Sequence, residues 1–183
     1  MKNLLFTLLN QHQLFEKTLL LKRNEYLVVN GSIDTNIYFV KDGSLKISVF
    51  NTEEQIIRFG YKGDFITCLD SFFSDKPTVF SIQAIKKTIV LKVNKNKFKA
   101  LMYANIETLK VWNEVLEDLI LQQLEREMDL LTVSAKERLE RIQLRNPLVF
   151  QEIPHKLIAN YLRMSPETLS RLKSLDMYQE NLK

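Results

Sequence analysis

Between Lys95 and Pro147 the chain has no glycine and no proline, whereas all four glycines (Gly31, Gly43, Gly60 and Gly63) lie ahead of that span. Nothing in the later stretch breaks a helix, and glycine-punctuated apolar runs in the earlier one read as strands. A chain divided this way folds as β-structure first and helices second. In the first part Leu45, Ile47 and Val49 alternate with Lys46, Ser48 and Phe50, the period of a strand with one buried face. Further apolar runs occupy 55–61, 79–85 and 88–93. Asp42-Gly43, between the runs 37–40 and 45–49, predicts a hairpin. Short strands at this spacing, from about Leu19 to Val93, predict an antiparallel roll or barrel behind an amphipathic helix over 1–15.

Asn94 is suited to cap the helical part. Within it, Ile106, Leu109, Trp112, Leu116, Ile120, Leu124, Met128 and Leu131 form one long stripe, which Val111, Val115 and Leu119 widen to a second face. A helix apolar on two sides packs against its own domain and against another surface. A second copy of the chain is one such surface, through Leu109, Trp112, Leu116, Ile120 and Leu124; a helix buried in a monomer would carry the same pattern. Ser134 then reads as the cap of a helix over 135–145, closed by Asn146-Pro147.

From Glu152 to Leu175 the sequence EIPHKLIANYLRMSPETLSRLKSL reads as two short helices about a tight turn. Ile153, Leu157, Ile158, Tyr161 and Leu162 share one face of the first. Ala159 supplies the small side chain that a close crossing needs. Ser165 is an N-cap, Pro166 suits the first helical position, and Glu167 complements the helix N-terminus. Leu169 and Leu172 form the buried face of the second helix and leave Glu167, Thr168, Ser170, Arg171 and Lys173 outside. This is the pattern of a helix-turn-helix whose second helix can enter a major groove. An ordinary helical hairpin leaves mixed polar residues outside too. Arg163 stands where many such turns have glycine, at a cost of roughly 1 kcal/mol for a left-handed non-glycine residue.

Composition sets the bounds. With 183 residues, 45% hydrophobic and 26% charged, the chain can bury a core in one or two small domains. No run approaches the ~20 apolar residues of a membrane span, and the N-terminal segment lacks a small-residue cleavage site. The cytoplasm and no membrane partner are expected. From Val133 onward nine Lys or Arg face six Asp or Glu, so this part carries +3 of the net +4. Cys68 is the single cysteine and excludes an internal disulfide; among Phe65, Ile66 and Leu69 it reads as a buried small hydrophobe. The two histidines, His12 and His155, leave the strand region without the ligands of a cupin-type metal enzyme. No catalytic constellation, cofactor or metal site is expected.

The order of roll, long helix and terminal helix-turn-helix resembles the Crp–Fnr family of transcription regulators. The resemblance rests on NGSIDTNIYFVKDGSLKISV (30–49), YKGDFI (61–66) and SAKERLERIQLRNPLVFQEIPHKLIANYLRMSPETLSRLKS (134–174), the last similar to a wingless branch of the family. It implies an α+β fold: an antiparallel, jelly-roll-like β-roll of cyclic-nucleotide-binding type (1–104), a long dimerisation helix (105–132) and a small all-α helix-turn-helix domain (133–183). It also implies a homodimer acting on double-stranded DNA, with RNA polymerase as a further partner. DNA contacts would fall to Ser165, Pro166, Glu167, Thr168, Ser170, Arg171 and Lys173, and an effector pocket to Phe65, Ile66, Cys68, Leu69, Thr78 and Val79. Family members that bind cyclic AMP carry a Glu for the ribose hydroxyls and an Arg-Ser or Arg-Thr pair for the phosphate. Cys68, Thr78 and Val79 stand at those positions here, so cyclic AMP is not expected as a ligand. The ten residues after Lys173 are too few for a two-stranded wing. A ligand-binding or protein-interaction module whose helices no longer touch DNA is the alternative.

Overall fold

The computed structural model describes the backbone of residues 2–180 and the side chains of residues 2–174. Helix α1 (Lys2–Gln11) precedes β1 (Phe15–Leu21), β2 (Tyr26–Val28), β3 (Ile37–Asp42), β4 (Ser44–Phe50), β5 (Glu54–Tyr61) and β6 (Phe65–Ile66). A short α2 (Leu69–Ser74) follows, then β7 (Phe80–Ala84), β8 (Thr88–Val93) and α3 (Lys95–Met102). The strands form two four-stranded antiparallel sheets, ordered β1-β8-β3-β6 and β2-β7-β4-β5. The helical part comprises α4 (Ile106–Leu131), α5 (Ala135–Arg145), α6 (Val149–Glu152), α7 (His155–Tyr161) and α8 (Pro166–Glu180). The α+β class, the roll, the long helix and the helical C-terminal part are as the sequence implies.

The Asp42-Gly43 hairpin is not formed. β3 pairs with β6 and β8, while β4 pairs with β5 and β7, so Gly43 is a corner where the chain passes from one sheet to the other. Glycine is needed there for close approach: at φ +93°, a Cβ on residue 43 would lie 2.4 Å from Thr88 Oγ1. Thr88 Oγ1 also accepts the Ser44 N–H at 3.1 Å, which fixes the corner against β8. The tight hairpin lies one strand later, at residues 51–53, where β4 turns into β5.

The chain divides into two compact units, Met1–Ile120 and Leu121–Lys183, with α4 running from one into the other. In the first, Val28, Val40, Leu45, Ile47, Ile82 and Val90 fill the space between the sheets. A second cluster joins the roll to its helices through Leu5, Leu9, Ile37, Phe72, Val93, Phe98, Met102 and Trp112. The local signals are used as their chemistry predicts. Asn94 Oδ1 caps α3 by accepting from Asn96 N at 2.9 Å, and Ser134 Oγ caps α5 by accepting from Glu137 N at 3.3 Å. In the second unit Leu139, Ile142, Val149, Ile153, Ile158, Ala159, Leu162 and Leu169 are buried.

Candidate nucleic-acid interface and effector cavity

The turn between α7 and α8 sets the presentation of the candidate interface. Arg163 adopts the left-handed conformation at φ 56°, and Met164 N–H donates to Ala159 O at 3.0 Å as α7 ends. The Arg138 guanidinium donates to Thr132 O at 2.6 Å and to Arg163 O at 3.5 Å, which ties α5 to this turn. Ala159 is fully buried, as a close crossing requires. Ser165 Oγ accepts the Thr168 N–H at 3.1 Å and lies 3.1 Å from Thr168 Oγ1. Ser165 and half-buried Thr168 are therefore engaged in capping α8.

Beyond the cap, Pro166, Glu167, Ser170 and Arg171 line one open depression on the exposed side of α8. At 3.6 residues per turn they span an arc of about 140°. The Glu167 carboxyl lies below the ordinary range, held by its own backbone N–H, then by the Ser165 hydroxyl and Arg171. Lys173 sits at one edge of the arc, half-buried. Its Nζ is 2.9 Å from His155 Nε2 and 5.2 Å from the centre of the Phe150 ring. Burial, then the Lys173 charge, lowers the His155 pKa, so the ring is neutral at pH 7 and can accept from the ammonium.

The long helix uses its apolar stripe unevenly. Trp112, expected at a self-association surface, is 7% exposed and packs edge-on against Phe98 (5.1 Å) and Phe72 (6.2 Å). It is thus a core residue of the first unit, because α4 begins by covering α2 and α3. Leu109 and Leu116 are half-buried, and Leu116 packs on the same cluster. Ile120 and Leu124 are 60% and 52% exposed and are continued by exposed Leu121, Met128 and Leu131.

In the roll, an almost wholly apolar cavity of about 60 Å³ lies where α2, α3 and α4 meet the strands. Phe65, Ile66 and Leu69 line it, with Phe72, Phe98 and Trp112. Arg58 and Thr67 are its polar walls. Arg58 comes from mid-strand β5, where strand alternation marks it only as one more residue on a face. Cys68, Thr78 and Val79 do not line the cavity. Cys68 belongs to the inter-sheet core, where burial pushes its thiol up to about 11. Val79 is 53% exposed, and its N–H donates to the Asp70 carboxylate at 2.9 Å. Thr78 is buried, its hydroxyl donating to the Asp70 carboxylate at 2.8 Å. Sequence reading missed Asp70, because nothing local connects a carboxylate to donors eight and nine residues on.

Among the described residues no group of three His, Cys, Asp or Glu could hold a metal ion, and no helix is long and apolar enough to cross a membrane.

The elements are a roll closed by short helices, a long helix leading out of it and a terminal set of short helices. Residues 18–105 match the family model described as the cyclic nucleotide-binding domain. No curated protein matches the chain. Among solved structures, FixK2 from Bradyrhizobium japonicum is 19% identical, with a TM-score of 0.73 over 90% of this chain and 85% of its own. A CRP-family transcriptional regulator from Thermus thermophilus is 16% identical, with a TM-score of 0.64 over 91% and 86%. A cyclic nucleotide-binding domain containing protein from Listeria monocytogenes is 15% identical, with a TM-score of 0.73 over 98% and 92%. Residues 18–105 thus resemble a cyclic nucleotide-binding domain, and the chain shares the fold of Crp/Fnr-type regulators.

Proposed function

We propose that this chain is a homodimeric, sequence-specific DNA-binding transcription regulator of Crp–Fnr type, with RNA polymerase as a further partner. The observation that carries the reading is the exposed arc of α8, where Glu167, Ser170 and Arg171 lie on the side away from the buried Leu169 that holds the helix in place. Such a helix enters a major groove with its first turns against base edges. A carboxylate there accepts from cytosine N4, and a guanidinium binds guanine O6 and N7 bidentately. The second copy meets the exposed stripe of α4, so two recognition helices address half-sites about one helical turn, ~34 Å, apart. The roll does not take cyclic AMP as the family's cyclic-AMP receptors do, since Thr78 and Val79 stand where those receptors have their arginine pair and Cys68 is a buried thiol.

Selection of DNA fragments from a random pool by the purified protein tests the reading; an enriched inverted repeat is expected. On the selected site Arg171→Ala costs about 1–3 kcal/mol and relaxes one base position, with a smaller loss on scrambled DNA. Equal losses on both DNAs would make Arg171 a phosphate contact. No enrichment at all would leave the helical part as a structural unit. Replacing Ile120 and Leu124 by Glu gives monomers in light scattering; a dimer that survives both changes would place the interface elsewhere.

A further inference from the structure

The segment joining α2 to β7 closes on a carboxylate of its own. Asp70 accepts hydrogen bonds from Thr78 Oγ1 at 2.8 and 3.0 Å, from Val79 N at 2.9 Å and from Ser71 N at 2.8 Å. Thr78 Oγ1 accepts in turn from Phe80 N at 3.0 Å, the first residue of β7. The neighbouring loop is tied to the same point: Thr78 O accepts from Gly31 N at 2.8 Å, and Thr78 N donates to Ser32 O at 2.9 Å. Ser71 Oγ accepts from Asp34 N at 3.2 Å, and Asp34 accepts from Tyr38 Oη at 2.7 Å. The other end of α2 is held by the Lys95 ammonium on Asp75 at 2.6 Å.

A cyclic nucleotide carries one negative charge on its phosphodiester, and a site for it needs converging N–H and O–H donors. Here the Thr78 hydroxyl and the Val79 N–H converge on Asp70 instead. An entering phosphate would have to displace that carboxylate or stand beside it, and two anions at such a distance repel. We propose that Asp70 is the built-in anion of this domain: its carboxylate closes the α2–β7 segment with no small molecule bound, and the sensor is set without an anionic effector. The inference deepens the regulator reading and rests on it only for the consequence at DNA, namely that operator affinity is the same with and without cyclic nucleotide.

The test uses the full-length chain and the variant Asp70→Ala. The variant leaves the Thr78 and Val79 donors without their acceptor and opens a space the size of a carboxylate. It should melt roughly 5–10 °C below the wild type in chloride buffer. Formate at matched ionic strength should restore at least half of that loss while leaving the wild type unmoved. Equal melting of variant and wild type, or formate acting no better than chloride, overturns the proposal, as does stabilisation of the wild type by cyclic AMP or inorganic phosphate. If Asp70→Ala does not fold, amide exchange on the ligand-free wild type decides: the Val79 N–H is as protected as the amides of β7, and fast exchange there overturns the assignment. Both readouts work without DNA, so a chain that bound no operator would sink the regulator reading and leave this one to be judged alone.

Discussion

The two halves of α4 are held by different physics. The first half is anchored by shape and apolar surface: Trp112 is packed among Phe72, Phe98 and the side chains of α1. The second half is anchored by charge. Asp129 has no exposed side-chain surface and lies between Arg141, whose Nε is 2.9 Å away, and Arg145, while Glu125 receives both arginines at 2.8 and 3.1 Å. One turn earlier the Arg126 guanidinium lies 3.7 Å above the Tyr161 ring and donates to Tyr161 O, the last carbonyl of α7. An apolar anchor tolerates small shifts at little cost, whereas bidentate ion pairs fix direction. The end of α4 is thereby fixed in register with α5 and α7, the helices that supply its partners.

The largest test of this contrast is Trp112→Ala. Removing a buried tryptophan from an aromatic cluster should cost about 3–5 kcal/mol, visible as a lowered denaturation midpoint that is nearly independent of salt. A loss under about 1 kcal/mol would mean that the cluster does not hold α4. Asp129→Ala comes next. Breaking a buried pair costs about 3–5 kcal/mol, and since Arg141 and Arg145 keep 30% and 29% of their side chains exposed they can turn to solvent, which favours the lower end, about 3 kcal/mol. Burial opposes the Asp129 charge, but hydrogen bonds from Arg145 and Arg141 outweigh it and leave the carboxyl below its ordinary 3.8. A carboxyl depressed on folding stabilises above its unfolded value and ceases to do so as pH falls through the folded one. The Asp129 contribution should thus be constant from pH 5 to 8 and lost below about pH 4, and the Asp129→Ala variant should lack that acid limb.

What the sequence made legible was local. The caps Asn94, Ser134 and Ser165, the left-handed Arg163 and the bounds of α4 and α5 each follow from a few neighbouring residues whose chemistry has one economical use. Long-range pairings were not legible. Asp42-Gly43 carries a hairpin signal, yet the neighbour that decides its use is Thr88, on a strand far along the chain. Trp112 belongs by periodicity to a single stripe, and only the arrival of Phe72 and Phe98 splits that stripe into a core half and an exposed half. Asp129 passes in sequence for a solvated helix residue, because its burial depends on two arginines 12 and 16 residues on. At the candidate interface the order of residue types was readable, but the engagement of Thr168 with the cap and of Lys173 with His155 was not.

The smallest effect sharpens the comparison from within the helical unit. Two of its kinds of cation contrast. Arg141 and Arg145 are locked onto carboxylates, and a phosphate could recruit them only by breaking a buried pair. Lys173 is held by two neutral partners, the His155 ring nitrogen and the Phe150 face. It sits at the edge of the α8 arc and can leave for a phosphate at little cost. Lys173→Ala should therefore weaken binding to selected and scrambled DNA alike and flatten the slope of log affinity against log salt by about one phosphate contact, ~0.9. Arg145→Ala should lower the melting temperature and leave that slope unchanged. His155 adds a sign. Its lowered pKa means that the neutral, accepting ring persists below the ordinary 6.5 and is lost as pH falls through the lowered value. Protonation then sets two cations side by side and releases Lys173 toward solvent or phosphate. DNA affinity of the wild type should accordingly rise as pH falls through that range, and His155→Gln should abolish the rise while keeping the salt slope. A salt slope unchanged in Lys173→Ala would remove the lysine from the interface, and a pH dependence that survives His155→Gln would place the titrating group elsewhere.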